Sequence, residues 1–117
     1  MKRKVLILGG GGFIGSQIAK ILVKRKNYDL TIADDFHKNQ DDEIFNDFVN
    51  KNKIKVIKSD FTKSESFNLL DKSYDDFYML ASMIGVDNTL EIPHEIIRVN
   101  TALIYNTLEW IKEVKIK

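Results

Sequence analysis

The stretch that most constrains this chain is residues 5–15, where the apolar run Val5-Leu6-Ile7-Leu8 gives way to four glycines, Gly9 to Gly12, and then to Phe13, Ile14 and Gly15. An apolar run of strand length that breaks into glycines and resumes with helical periodicity predicts a buried strand, a tight turn and a helix in direct succession. Glycine lacks a Cβ, so the turn can take positive φ and bring bare main chain against a ligand. The helix behind it directs unpaired N–H groups and the positive end of its dipole at the same point, which suits phosphate oxygens. Spacing alone leaves two registers open: Gly10, Gly12 and Gly15 satisfy G-x-G-x-x-G, while Gly9, Gly12 and Gly15 satisfy G-x-x-G-x-x-G.

The context of the turn lies downstream. Ile14, Ile18, Ile21 and Leu22 recur at helical spacing, and Lys24, Arg25 and Lys26 sit where a helix C-terminus favours positive charge. Tyr28 to Ala33 reads as a second strand that stops at Asp34 and Asp35, and Asp34 lies 19 positions past Gly15. At that distance a carboxylate accepts hydrogen bonds from the adenosine ribose of a dinucleotide. It also repels a 2′-phosphate, so the pattern favours NAD over NADP, with Lys38 in the following loop the one feature that leaves the choice open. The same context favours the register of Gly9, Gly12 and Gly15.

A short helix is expected from Asp41 to Asn50, with Ile44, Phe45, Phe48 and Val49 on one face. A third strand, Ile54 to Ile57, ends at Lys58-Ser59-Asp60-Phe61, and Ser64 to Leu70 forms another short helical segment. A fourth strand, Asp75 to Leu80, runs into Ala81, Ser82 and Met83. The last element is a long helix from about Pro93 to Val114, its apolar face assigned to Ile96, Ile97, Leu103, Ile104, Leu108 and Ile111. Near-continuous apolar strands alternating with helices specify a parallel sheet covered on both faces. The expected architecture is therefore a Rossmann-type, three-layer α/β/α unit spanning residues 1–117. Right-handed crossovers give the strand order 3-2-1-4, with the glycine turn at the switch point. The outer edge of the fourth strand has no partner in that scheme, so self-association through it is expected.

Composition removes several classes of function. The 117 residues carry a net charge of +1 with both signs interspersed, which leaves no electrostatic footprint for nucleic acid or a membrane surface. Lys2, Arg3 and Lys4 ahead of an apolar run imitate a signal peptide, but four glycines interrupt the run. No stretch approaches the roughly 18 apolar residues of a membrane span. The absence of cysteine excludes a disulfide framework, a thiolate zinc site and a cysteine nucleophile, and fits a cytoplasmic protein. His37 and His94 lack ligand-like spacing, so no metal site is expected.

Five ordered segments together resemble the extended short-chain dehydrogenase/reductase family, the NAD-dependent epimerases and dehydratases of nucleotide sugars. Gly9 to Ser16 is similar to that family's glycine turn, with Leu8 where threonine is usual and Gly11 where alanine is usual. Ala33-Asp34-Asp35-Phe36 resembles its second-strand end. Ser59-Asp60 is similar to its Gly-Asp, which implies that Asp60 contacts the adenine and that Phe61 adds a backbone contact. Met79-Leu80-Ala81-Ser82 resembles its His-Leu-Ala-Ala, which implies that Ala81 and Ser82 lie along the cofactor. Val99-Asn100 with Asn106, Leu108 and Glu109 resembles its Val-Asn and Asn-x-Leu-Glu helix, which implies a cofactor role for Asn100.

The resemblance stops before the family's chemistry, which uses a tyrosine base held by a lysine four residues later. Here Tyr28, Tyr74, Tyr78 and Tyr105 are followed at that spacing by Ile32, Tyr78, Ser82 and Glu109. A general base must be present and within reach of the proton it removes. The expectation is a cofactor-binding half that holds NAD but is inactive alone, with no catalytic residue of its own and a nucleotide sugar bound only in a longer parent. The alternatives are a stand-alone dinucleotide sensor or interaction module, and a reductase completed by a second chain.

Overall fold

A computed structural model of the chain describes residues 2–36, 42–83 and 90–116. Among these the strands in chain order are β1 (Arg3–Leu8), β2 (Tyr28–Asp34), β3 (Lys55–Lys58), β4 (Ser73–Tyr74), β5 (Asp76–Met79) and β6 (Lys115–Ile116). The helices are α1 (Phe13–Lys24), α2 (Glu43–Lys51) and α3 (Pro93–Glu113), with a 3₁₀ segment at Ser64–Leu69. His37, Lys38 and Asp41 lie outside the described residues.

The main sheet is parallel throughout, in the order β3-β2-β1-β5. This is the expected 3-2-1-4 arrangement, because β5 is the fourth long strand. Leu8 pairs with Ala33 on one side and Met79 on the other, and Asp34 pairs with Lys58. That register ends β1, β2 and β5 at one level, so the loops after them leave the sheet along the same edge, where open α/β sheets bind ligands.

Alternation along β1 divides the core. Val5 and Ile7 point to one face, where they join Ala19, Leu22, Leu30, Ile32 and Val49 beneath α1 and α2. Leu6 and Leu8 point to the other, where they join Phe61, Phe67, Leu103 and Trp110 beneath α3 and the 3₁₀ segment. All four β1 side chains are at most 1% exposed. Burial on this scale contributes about 1.5–3 kcal/mol per large apolar side chain.

Two helix faces differ from expectation. In α1 the buried residues are Gly15, Ala19 and Leu22, with Ile18 packed beside them, while Ile14 and Ile21 are exposed. In α3 the sheet takes Leu103, Thr107 and Trp110, flanked by Val99 and Val114. Ile97, Ile104 and Leu108 are instead more than half exposed, and Ile111 is exposed as well. The helix carries two apolar stripes roughly 100° apart, and periodicity is satisfied by either. Packing selects the one containing Trp110, whose ring meets Phe67, Tyr74 and Phe77 at centroid distances of 5.8, 6.2 and 5.3 Å.

Smaller differences have local causes. Asp42 caps α2 by accepting a hydrogen bond from Phe45 N–H at 3.1 Å, so that helix starts at Glu43 and ends at Lys51. β4 and β6 form a separate two-residue parallel pair, Ser73 with Lys115 and Tyr74 with Ile116. A ladder that short has no periodicity to read in a sequence.

Candidate functional site

The glycine turn is built by close approach. Gly9 takes φ +91, donates its N–H to Ala33 O at 2.7 Å and accepts the N–H of Gly12 at 3.2 Å. A Cβ on Gly15 would lie 2.6 Å from Gly10 Cα and 2.7 Å from Gly9 O, so α1 can start against the turn only with glycine there. The cap of α1 is Gly12, which offers no side-chain hydrogen bond, and the first turn contains no acidic residue. The first backbone N–H groups of a helix have no intrahelical acceptor. Here they open at the strand ends with the positive end of the helix dipole behind them. A Cβ on Gly12 would meet only Gly9 O, at 3.4 Å, so the space in front of it is clear of protein.

Asp34 ends β2 beside this turn. Its Oδ2 accepts the N–H of Gly11 and its Oδ1 the N–H of Phe36, both at 3.0 Å. Phe36 reaches that position with φ +59, an uncommon conformation for an aromatic residue. Burial pushes the Asp34 carboxyl above its ordinary range; the Phe36 and Gly11 hydrogen bonds oppose that shift, and neighbouring Asp35 adds to it. The side chain is thus oriented by two backbone donors and held in a partly desolvated position.

A cleft of about 970 Å³ runs along the carboxyl ends of β1, β2, β3 and β5. Gly9, Gly12, Phe13, Ile14 and Gly15 form one wall. Asp34 and Asp35 lie at one end, Asp60 and Phe61 follow β3, and Ala81 and Ser82 follow β5. The fold therefore brings eleven of the twelve residues singled out from the sequence onto one surface. Asn100 is not on that lining. Its Oδ1 accepts Met83 N–H at 2.7 Å and its Nδ2 donates to Met83 O at 3.1 Å, so it clamps the segment carrying Ala81 and Ser82.

Arg98 reaches the same cleft and escaped the sequence reading. It pairs with Glu95 one turn earlier at 2.7 Å, and this hydrogen-bonded carboxylate raises the guanidinium pKa while the carboxyl is lowered. An Arg-Val-Asn run at the start of a long helix was the available signal. Among the described residues no cluster of His, Asp or Glu is placed to hold a metal ion, and no helix is long and apolar enough to cross a membrane.

The profile of the NAD dependent epimerase/dehydratase family matches residues 5–117, from within β1 to the last residue. The chain belongs to this family. Across 100 residues it is 36% identical to a UDP-N-acetyl-alpha-D-glucosaminuronate decarboxylase of Bacillus cytotoxicus, covering 86% of this chain and 30% of that protein. Among solved structures it superposes on the UDP-Glc/GlcNAc 4-epimerase of Campylobacter jejuni with a TM-score of 0.83 and 23% identity, over 96% of this chain and 34% of that one. It superposes on the Bordetella bronchiseptica enzyme WbmF, solved in complex with NAD+, with a TM-score of 0.79 and 20% identity, over 99% of this chain and 34% of that one. This epimerase/dehydratase family chain spans about a third of the length of each of these relatives.

Proposed function

We propose that this chain binds NAD in the cleft, as the cofactor-holding domain of a nucleotide-sugar epimerase or dehydratase, and that it holds the dinucleotide without turning it over. The observation that carries the reading is the Asp34 carboxylate bonded to Gly11 N–H beside the uncapped start of α1. One part of the cleft thereby offers backbone N–H groups to a pyrophosphate, and the adjoining part offers a fixed acceptor to ribose hydroxyls. In this reading the main chain of Gly9, Gly12, Phe13, Ile14 and Gly15 receives the pyrophosphate, and Asp34 and Asp35 receive the adenosine ribose. Asp60 and Phe61 border the adenine, Ala81 and Ser82 follow the nicotinamide half, and Asn100 acts through Met83. The fold shared with a protein crystallised with NAD+ supports the cofactor.

Bound NAD would supply the hydride acceptor for such chemistry. This chain's residues bind and orient it, and no tyrosine is followed by lysine four residues later to move the substrate proton. The cysteine-free sequence suits a reducing cytoplasm. Calorimetry with NAD, NADP and ADP-ribose tests the reading. NAD and ADP-ribose bind and NADP binds at least about tenfold more weakly, as repulsion between Asp34 and a 2′-phosphate requires. Binding of none of the three sinks it, and epimerase or dehydratase turnover by this chain sinks its non-catalytic part.

A second reading draws on β5, whose outer edge has no strand partner among the described residues. Such an edge is a template for another strand. It favours a sheet completed by further polypeptide or by self-association.

A further inference from the structure

Asn106 lies near the middle of α3 and turns its amide away from the helix towards the loop after β3. Its Nδ2 donates to two successive carbonyls, Phe61 O at 3.2 Å and Thr62 O at 2.8 Å. That loop is tied within itself. Asp60 Oδ1 accepts the Thr62 N–H at 3.0 Å and the Thr62 hydroxyl at 2.6 Å, and Ser66 Oγ donates to Asp60 O at 2.6 Å. The internal bonds set its shape. It is joined to the rest of the fold by the Ser59 N–H donated to Asp34 O at 3.1 Å, by the buried Phe61 ring, edge-on to Phe67 at 5.1 Å, and, on the side of α3, by the Asn106 amide.

The primary amide nitrogen of asparagine carries two N–H groups and can donate one to each of two neighbouring carbonyls. Aspartate at this position has the same shape but no donor, and it faces two carbonyl oxygens with a negative charge. Leucine removes the donors without adding charge. Either change leaves the two carbonyls without their side-chain donor and releases the loop from α3.

We propose that Asn106 is a positioning residue for base recognition: it holds the Asp60–Thr62 loop at the height where Asp60 accepts the 6-amino group of the adenine. The inference rests on the reading of the cleft as an NAD site. It adds that discrimination between bases depends on a side chain that touches no part of the cofactor.

The test compares NAD with nicotinamide hypoxanthine dinucleotide, in which a carbonyl replaces the adenine amino group and faces the Asp60 carboxylate. Affinities are measured by calorimetry for the full chain and for Asn106→Asp, Asn106→Leu and Asn106→Gln, each shown to be folded by circular dichroism. The unsubstituted chain prefers NAD at least tenfold. In Asn106→Asp and Asn106→Leu that preference falls towards one, while the NAD to NADP ratio, which reports on Asp34, is unchanged. Asn106→Gln keeps the amide and recovers part of the base preference. Equal weakening of both dinucleotides, or wild-type affinities and ratios in the variants, overturns the inference and leaves the NAD reading standing. Failure of the unsubstituted chain to bind either dinucleotide overturns both.

Discussion

A β-carbon on Gly9 would lie 2.5 Å from the backbone nitrogen of Ala81 and 2.7 Å from the carbonyl carbon of Leu80. The turn after β1 and the end of β5 are therefore in direct main-chain contact. Gly9 also sits at φ +91, where a side chain adds conformational cost. Gly9→Ala combines about 1–2 kcal/mol for that backbone conformation with about 1–3 kcal/mol of overpacking against a neighbour that cannot rotate aside. The expected outcome is a loss of about 2–5 kcal/mol in urea unfolding. A variant within about 0.5 kcal/mol of the parent, the range of neutral surface changes, would contradict the described contact.

Asp34 predicts opposite pH trends for the empty and the loaded protein. Its folded-state carboxyl lies above the unfolded value, chiefly through burial, so the folded chain binds the proton more readily. Its contribution to stability therefore falls as pH rises through the window between the unfolded and the raised folded value. Cofactor affinity runs the other way, because ribose hydroxyls donate to the ionised carboxylate. Calorimetry across the weakly acidic range is expected to show NAD binding weaken on acidification before an exposed aspartate would titrate. Asp34→Asn removes that dependence. An unchanged pH profile in this variant assigns the titration to another group.

Trp110 fills the space between α3, the 3₁₀ segment and β5, and its indole N–H is buried without a hydrogen-bond partner among the described residues. Truncation to alanine leaves a cavity, and a loss of about 3–5 kcal/mol is expected. Trp110→Phe keeps most of the ring packing and removes a donor that no described residue satisfies, so it costs less than half as much. Thermal denaturation of the two variants decides this. Equal losses would show that the site depends on the indole itself and not on the ring volume that phenylalanine keeps.

The edge of β5, which has no strand partner among the described residues, predicts concentration-dependent association. Tyr78 lies on that strand and is 37% exposed, and a lysine there places charge on the edge, a common protection against pairing. Light scattering is expected to show oligomers of the parent chain that Tyr78→Lys reduces. Hydrogen exchange at residues 76–79 is expected to be slower in the oligomer. A monomer at high concentration with these amides already protected refutes the edge as the contact.

The main sheet was legible because the central strands β1 and β2 are buried on both faces, and burial on both faces writes itself as a near-continuous apolar run, while β5, only partly buried, still carries the apolar run Phe77-Tyr78-Met79-Leu80. The glycine turn was legible because a positive φ and a main-chain contact admit almost no other residue. Asp34 was legible by its distance from Gly15. Each of these signals is local, and for that reason the sequence by itself determined the strand order, the cleft and eleven of the residues that line it. What the tertiary structure decided is non-local. It chose which of two apolar stripes on α3 meets the sheet, paired Tyr74 with Ile116, and brought Arg98 to the cleft. It directed Asn100 to Met83 and Asn106 to Phe61 and Thr62, 17 and about 45 positions away. An asparagine reads the same in a sequence whether it faces a ligand, water or a distant carbonyl. Only the packing of α3 across the sheet determines which of these its amide meets.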